Sequence, residues 1–292
     1  MMRSLYSGVS GLRNHQTRMD VIANNIANVN TVGYKSSRTV FQDVFSQTSR
    51  AAGAPTAVAE GATGAYGGTN PMQIGLGVKT AAIDVQHTQS AFQTTDNALD
   101  LAIQGDGYFV IDSGGTPLYT RAGNFYLDNA GSLVTADGSY VLGAAATEGE
   151  PAISIGSGED DTALSVINLD GWTGISIDSN GVIWGFDNSG EDDATVKTAA
   201  ATIAIATFVN PPGLEKQGNS TFLQTPNSGE AVYRLPRTGG AGSVEAGRLE
   251  MSNVDLSAEF TDMIITQRGF QANSRIITTS DTLLEELINL KR

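Results

Sequence analysis

The two ends of this chain carry the same apolar ladder, and any fold must accommodate both. Leu5, Val9, Leu12, Gln16, Met19, Ala23 and Ile26 recur at steps of four and three. So do Leu256, Phe260, Met263, Gln267, Phe270, Ser274, Ile277, Asp281, Leu284 and Ile288. Such steps place side chains on one stripe of a helix, the a and d positions of a coiled coil. Two helices at opposite ends of one chain have each other as nearest candidate partners. Between them the apolar period falls to two and glycine is frequent, which reads as β structure. The expected fold class is mainly β with an α-helical stem. The terminal helices pair as a coiled-coil-like stem, with antiparallel β domains inserted between them.

The stem is thin. Its N-terminal helix offers about six sizeable apolar side chains, worth roughly 1.5–3 kcal/mol each if fully buried. Ordering roughly 25 residues costs about 1–2 kcal/mol per residue in backbone entropy. The ends are therefore expected to be mobile in a solitary copy and ordered when other copies cover them. A second apolar set, Val21, Ile22, Val29, Ile264, Ile265, Ile276, Leu283 and Leu287, lies off the stripe and is expected to face neighbours. The plain alternative is an intramolecular hairpin that closes a domain. Gln16, Gln267, Ser274 and Asp281 interrupt the stripe and are suited to fixing register.

Asn24, Asn25, Asn28 and Asn30 end the first helix, because asparagine bonds nearby backbone and favours caps and turns. Gly33 follows as a C-cap or turn residue. Four regions result: a helical stem of 1–30 and 253–292, a connector of 31–75, a main β domain of 76–143 and 201–252, and a small acidic outer β domain of 144–200. Residues 34–48 read as extended or partly helical, and 49–75, rich in Ala, Gly, Thr and Ser, read as a mobile linker or a segment docking on a neighbour. Short strands separated by Gly105-Asp106-Gly107, Ser113-Gly114-Gly115, Asp128-Asn129-Ala130-Gly131 and Asp137-Gly138 carry the hairpin signature. Residues 144–196 hold no Lys or Arg, which marks the outer domain. Asp255 is placed to cap the last helix, with Glu259 near its positive end.

A formal net charge of −14 argues against nucleic-acid binding. With no cysteine, disulfides and Cys-held metals are excluded. No apolar run approaches the roughly 20 residues that cross a bilayer. The N-terminus lacks the apolar core and cleavage site of a signal peptide. His15 and His87 sit in no nucleophile motif, and Gly75–Thr80 has the wrong spacing for a phosphate loop. Asp128-x-x-Gly131, Asp178-x-x-Gly181 and Asp187-x-x-Gly190 read as tight turns rather than calcium loops. No cofactor, metal or catalytic residue is expected. A soluble enzyme or glycan-binding β protein with helical ends is the competing class.

Four motifs then converge. Asp20–Asn28 with Gly33-Tyr34-Lys35, Leu101–Phe109, Tyr119–Phe125, and Gly247–Asp255 with Gln267–Ser274 resemble the signatures of flagellar rod and hook proteins. The resemblance covers both ends and the main body, and skips 144–200. Asp255-Leu256, Glu259–Ile264, Arg268–Ala272 and the ending Asn289–Arg292 look more like the hook protein, whereas Thr17–Asn30 and Phe41-Gln42-Asp43 also resemble the distal rod. The resemblance implies a compact hook subunit, with the distal rod as the alternative. It implies a hollow tube of many copies, transmitting torque as a flexible joint, with the helices inside and the β body outside. It further implies export through the flagellar type III apparatus without a cleaved signal, and contacts with rod, hook-cap and hook–filament junction proteins. The assembly interface expected on this basis comprises Leu5, Val9, Leu12, Met19, Ile22, Ile26, Asn24, Asn25, Asn28, Gly33, Leu256, Phe260, Met263, Phe270, Ile277, Leu284 and Ile288.

Overall fold

The structure, a computed structural model, describes residues 2–54, 67–145, 164–187 and 197–290. Helix α1 (Met2–Ala27) opens the chain and α2 (Leu256–Leu290) closes it, beginning directly after Asp255. Between them run β1 (Ser37–Asp43), β2 (Ser46–Arg50), β3 (Met72–Gly75), β4 (Val78–Val85), β5 (Phe92–Thr94), β6 (Leu101–Gln104) and β7 (Tyr108–Ser113). Next come β8 (Thr116–Thr120), β9 (Tyr126–Leu127), β10 (Leu133–Val134), β11 (Tyr140–Ala145), β12 (Ser165–Val166), β13 (Trp172–Ile177), β14 (Val182–Asp187) and β15 (Thr198–Ile203). The last are β16 (Ile205–Thr207), β17 (Glu215–Gly218), β18 (Thr221–Leu223), β19 (Val232–Arg234), β20 (Ser243–Ala246) and β21 (Arg248–Glu250). A mainly β chain with helical ends is what the periodicity predicts.

The chain divides into two compact units. The first holds residues 1–26, 37–84 and 256–292. In it β1 pairs with β4, and β2 with β3. The expected linker is thus in part a two-stranded ribbon: Ser46 pairs with Gly75 and Thr48 with Gln73, and a further bridge joins Gly53 to Thr69. Every residue of β2 and β3 is exposed on both faces. Backbone pairing holds the ribbon, with exposed side-chain bonds from Gln73 to Thr48 Oγ1 at 3.2 Å and from Arg50 to Asn70 O at 3.4 Å, and no buried apolar face, which is why its composition gave no strand signal. Its tip, 55–66, lies outside the described residues. Strand β4, read from the sequence as opening the main β domain, belongs to this unit up to Asp84.

The second unit holds residues 27–36 and 85–255. Its main sheet runs β13-β14-β15-β11-β7-β8-β18-β17. The described strands of the acidic segment are continuous with it, since Gly143, Ala144 and Ala145 of β11 pair with Ile203, Thr202 and Ala201 of β15. One face carries the core of Leu101, Ile103, Phe109, Ile111, Phe125, Leu133, Val141, Ile167, Ile183, Ile203, Ile205 and Val244. Tyr108, Val110, Tyr119, Leu214 and Phe222 make a second cluster. The tight-turn reading holds: Gly131 N donates to Asp128 O at 2.9 Å, and Gly181 N to Asp178 O at 2.8 Å. The acidic runs Glu159–Asp161 and Glu191–Asp193, and Asp187-x-x-Gly190 beyond its first residue, lie outside the described residues.

Candidate assembly interface

In the first unit the helices do pair, antiparallel, but not through the expected stripe. Ser4 Oγ lies 3.5 Å from Ser280 Oγ. Gly8 faces Ile277 and Asn273, Gly11 faces Asn273, and Gly269 faces His15. Arg18 pairs with Asp262 at 3.1 Å, and Asn25 Nδ2 donates to Glu259 Oε1 at 2.9 Å. On α1 the seam reads 4, 8, 11, 15, 18, 22, 25, which is the expected ladder displaced by one residue. On α2 it reads 259, 262, 266, 269, 273 and 280, displaced likewise, with Ile277 shared by both ladders. Apart from Ile22 and Ile277, small and polar residues line it. A Cβ added to Gly11 would stand 2.6 Å from Asn273 Nδ2, and one added to Gly269 would stand 2.6 Å from His15 Cε1. The close approach of the helices explains the choice of glycine.

The displacement turns the large apolar side chains away from the seam. Leu5, Leu12, Met19, Ile26, Met263, Ile277 and Leu284 are half-buried, and Val9, Leu256, Phe260, Phe270 and Ile288 are exposed. Gln16, Gln267, Ser274 and Asp281, expected to set register, all face outward. Ile22, expected to face a neighbour, is instead buried within one copy at 4 % exposure. A second ladder on α2, Ile265, Ala272, Ile276, Leu283, Leu287 and Leu290, lies roughly a quarter turn from the seam and is exposed along its length. A third, Ser257, Thr261, Arg268, Gln271, Arg275, Thr282, Glu286 and Asn289, is exposed and polar, interrupted by Ile264.

Two asparagines act as substitute strand partners. Asn25, 1 % exposed, accepts from Ser37 N at 3.0 Å and donates to Ser37 O at 2.8 Å. Asn14 donates to Val78 O at 2.6 Å and accepts from Thr80 Oγ1 at 2.9 Å, fixing β4 against α1. Asn24 is exposed. Asn28 is half-buried, and its carbonyls hold the turn at Thr31. Asn25, although counted with the assembly interface in the sequence, serves contacts inside one copy.

In the second unit the motifs meet around one carboxylate. Glu250, fully buried, accepts from Lys35 Nζ at 2.7 Å and from Ser90 N at 3.0 Å through Oε1, and from Arg121 at 3.3 Å through Oε2. Lys35 also donates to Thr88 O at 2.8 Å, and Arg121 to Gly105 O at 2.8 Å. Gly33 sits beside them with φ +66°, and its N–H donates to Glu250 O at 2.8 Å. Any Cβ there would press on Ala122 N at 2.5 Å. Gly33, also placed in the assembly interface by sequence, is thus an internal packing residue. Asn253 accepts from Ser36 N at 2.7 Å and donates to Gln86 O at 2.8 Å.

Two buried cations share one acid. Burial draws the Lys35 ammonium below its usual range, Glu250 opposes that, and Arg121 adds to it. Burial lowers Lys216 too, which lies 4.6 Å from the Tyr34 ring. His87 is brought down to about 4 by burial first, then by Lys35, Arg121 and Lys216. Its Nδ1 lies 2.7 Å from Tyr108 Oη, and burial raises that phenol well above its ordinary value. Sequence reasoning singled out the motifs but not their junction, because nothing local in Lys35, Arg121 or Glu250 points to the other two. Among the described residues no cluster of His, Asp and Glu is placed to hold a metal, and no helix is long and apolar enough to cross a membrane.

Terminal helices with uncovered apolar ladders, joined to a β body locked where the chain enters and leaves it, define a structural protein built to be packed among others. The chain belongs to the flagellar rod and hook protein family, a family of structural proteins of the flagellar basal body and hook rather than of enzymes. Residues 5–35 match the family described as flagella basal body rod protein, and 102–185 the flagellar hook protein FlgE/F/G D1 domain. Residues 245–290 match the flagellar basal body rod FlgEFG protein C-terminal family. The flagellar basal-body rod protein FlgG of Bacillus subtilis (strain 168) is 50% identical over 297 residues, with all of both chains covered. The corresponding FlgG of Agrobacterium fabrum is 38% identical over 293 residues, covering 97% of each chain. The flagellar hook protein FlgE of Borreliella burgdorferi is 34% identical over 450 residues, again with both chains covered whole.

Proposed function

We propose that the protein is the building block of the distal flagellar rod, polymerising into a hollow helical tube that carries torque outward from the basal body. The observation that carries the polymer is the exposed α2 ladder of Ile265, Ile276, Leu283, Leu287 and Leu290. Monomeric proteins rarely leave a contiguous apolar stripe to water. Neighbouring copies supply the cover, together with that for Val9, Leu256, Phe260, Phe270 and Ile288. The polar third ladder of α2 suits a wet channel wall.

The rod is favoured over the hook by length. Alignment with the two rod relatives needs 297 and 293 positions, whereas the hook relative needs 450. The motif resemblance at Glu259–Ile264 and Arg268–Ala272 supports the hook as the second reading. In either reading the subunit travels through the flagellar export apparatus. It meets rod, hook-cap and junction proteins at the ends of the tube.

Three experiments test this. Limited proteolysis of the dilute protein should remove the first and last few tens of residues and leave the second unit intact, while tubes resist. Electron microscopy of the tubes should show straight, stiff cylinders for a rod and curved, bendable ones for a hook. Removing residues 53–69 should change the stiffness or curvature of the tube without unfolding the second unit. A monomer whose helices resist protease at high dilution, with no polymer at any concentration, refutes the proposal.

A further inference from the structure

The seam between the helices changes character where α1 stops. Ser4 of α1 lies against Ser280 of α2. The helices run antiparallel, so about two turns of α2, roughly 12 Å, extend past Met2. Inside the copy α2 offers Gly269, Asn273 and Ser280 to the seam. Past Met2 the same line continues as Leu284 and Leu287. At about 100° per residue, Leu283, Leu284, Leu287, Ile288 and Leu290 fall within one arc of about 160° that straddles this line. Glu285 and Glu286 border the arc on its two sides. Every residue from Glu285 to Leu290 is exposed, Ile288 at 69% and Leu290 at 82%. Among the described residues, nothing in the same copy covers this tip.

A complementary surface lies at the start of α1. Met2, Tyr6 and Val9 form a ladder on the side turned away from the seam, and Met2 and Tyr6 are 61% and 68% exposed. The ladder continues as Arg13, and Arg3 stands beside Met2. No acidic residue precedes Asp20. Arg3 also occupies the positive end of its helix, in a first turn with no acid, where a carboxylate from outside is the favourable neighbour. Among the described residues, Arg3, Arg13, Glu285 and Glu286 enter no ion pair. The two surfaces cannot meet within one copy, because the ladder faces away from the seam that the tip prolongs.

We propose that the overhanging tip of α2 seats on the Met2–Tyr6–Val9 face of a second copy, with Glu285 and Glu286 meeting its Arg13 and Arg3. This rests on the polymer reading and names the two surfaces that join. The contact unites different patches, so it runs head to tail and leaves one tip and one ladder free at the ends of a row. Such contacts propagate instead of closing into a two-fold dimer. All copies then point one way, and the tip lies antiparallel to the α1 it covers. It passes from Val9 toward Met2 as it runs from Leu283 to Leu290.

The test is charge reversal in the full chain, scored by pelleting tubes at low salt. Arg3→Glu with Arg13→Glu should raise the concentration needed for tubes about tenfold, through two lost pairs and the repulsion that replaces them. Glu285→Arg with Glu286→Arg should do the same. An equimolar mixture of the two proteins should assemble within about threefold of the parent, because each copy then meets opposite charge on its neighbours. Charges that act inside one copy cannot be rescued by mixing. All four positions are exposed, and an unchanged tryptophan melt confirms that the second unit is folded. A mixture as defective as its components overturns the proposal, and so do variants that assemble like the parent. Both results leave the polymer reading intact, since the parent still forms tubes. A parent that forms none at any concentration overturns both.

Discussion

Replacing Glu250 by Gln removes one charge and keeps nearly the same shape. In the parent, the Lys35 and Glu250 side chains are fully buried and Arg121 is 4% exposed. The variant leaves two cations out of water with no acid between them. Arg121 retains the carbonyls of Gly105 and Ile103, and Lys35 that of Thr88. Breaking a buried pair by deleting one partner costs about 3–5 kcal/mol. For a body of this size each kcal/mol moves the melting temperature by about 2–4 °C, so the second unit should melt about 6–20 °C lower. Both tryptophans, Trp172 and Trp184, belong to that unit. Their fluorescence therefore follows its unfolding separately from the helices. Lys35→Met should cost less, because Glu250 and Arg121 remain paired. The Lys35→Met/Glu250→Gln double variant should be more stable than Glu250→Gln alone, a coupling that pairs in contact show and distant sites do not. A Glu250→Gln protein within 1 kcal/mol of the parent, or a double variant equal to the sum of the singles, refutes the account of Glu250 as sole counter-charge.

Three further outcomes are expected. His87 has a folded value of about 4 against 6.5, so the unfolded chain binds the extra proton between those values. Its contribution is intact above pH 6.5 and falls as pH drops toward 4, by at most about 3 kcal/mol, and urea melts of His87→Gln should lose this part of the slope. A Cβ at Gly8 would meet Ile277 Cγ1 at an ordinary 3.5 Å, so Gly8→Ala should gain about 0.5–1 kcal/mol of helix stability, read by far-UV circular dichroism. Gly11→Ala, crowded by Asn273, should gain less or lose. Leu283→Asp places a charge on the open ladder of α2 and should abolish tubes, while the tryptophan melt of the second unit stays within about 0.5 kcal/mol of the parent.

The sequence made the period of the helices legible but not their phase. Steps of four and three fix the width of a stripe, and large apolar residues draw the eye to Leu5, Leu12, Phe260 and Phe270. The helices meet one residue earlier, where Gly8, Gly11 and Gly269 let the backbones close in. A contact made of absent side chains leaves no hydrophobic signature. The β body was legible because its Asp and Gly turns and its alternation follow local rules. The β2–β3 ribbon was not, since nothing in Ser46–Arg50 is buried. Residues 35, 121 and 250 each stood out within a motif, yet their union depends on tertiary folding that spacing does not encode.

The seam between the terminal helices is closed mostly by glycines, hydroxyls, amides and an ion pair open to water at Arg18 and Asp262. When it parts, most of those groups pass to solvent at little cost, and little apolar surface beyond Ile22 and Ile277 is laid bare. A chain of this kind can be drawn out to a thread and zipped up again at its destination without sticking to itself on the way. Its firmest grip is then kept for the moment when companions arrive.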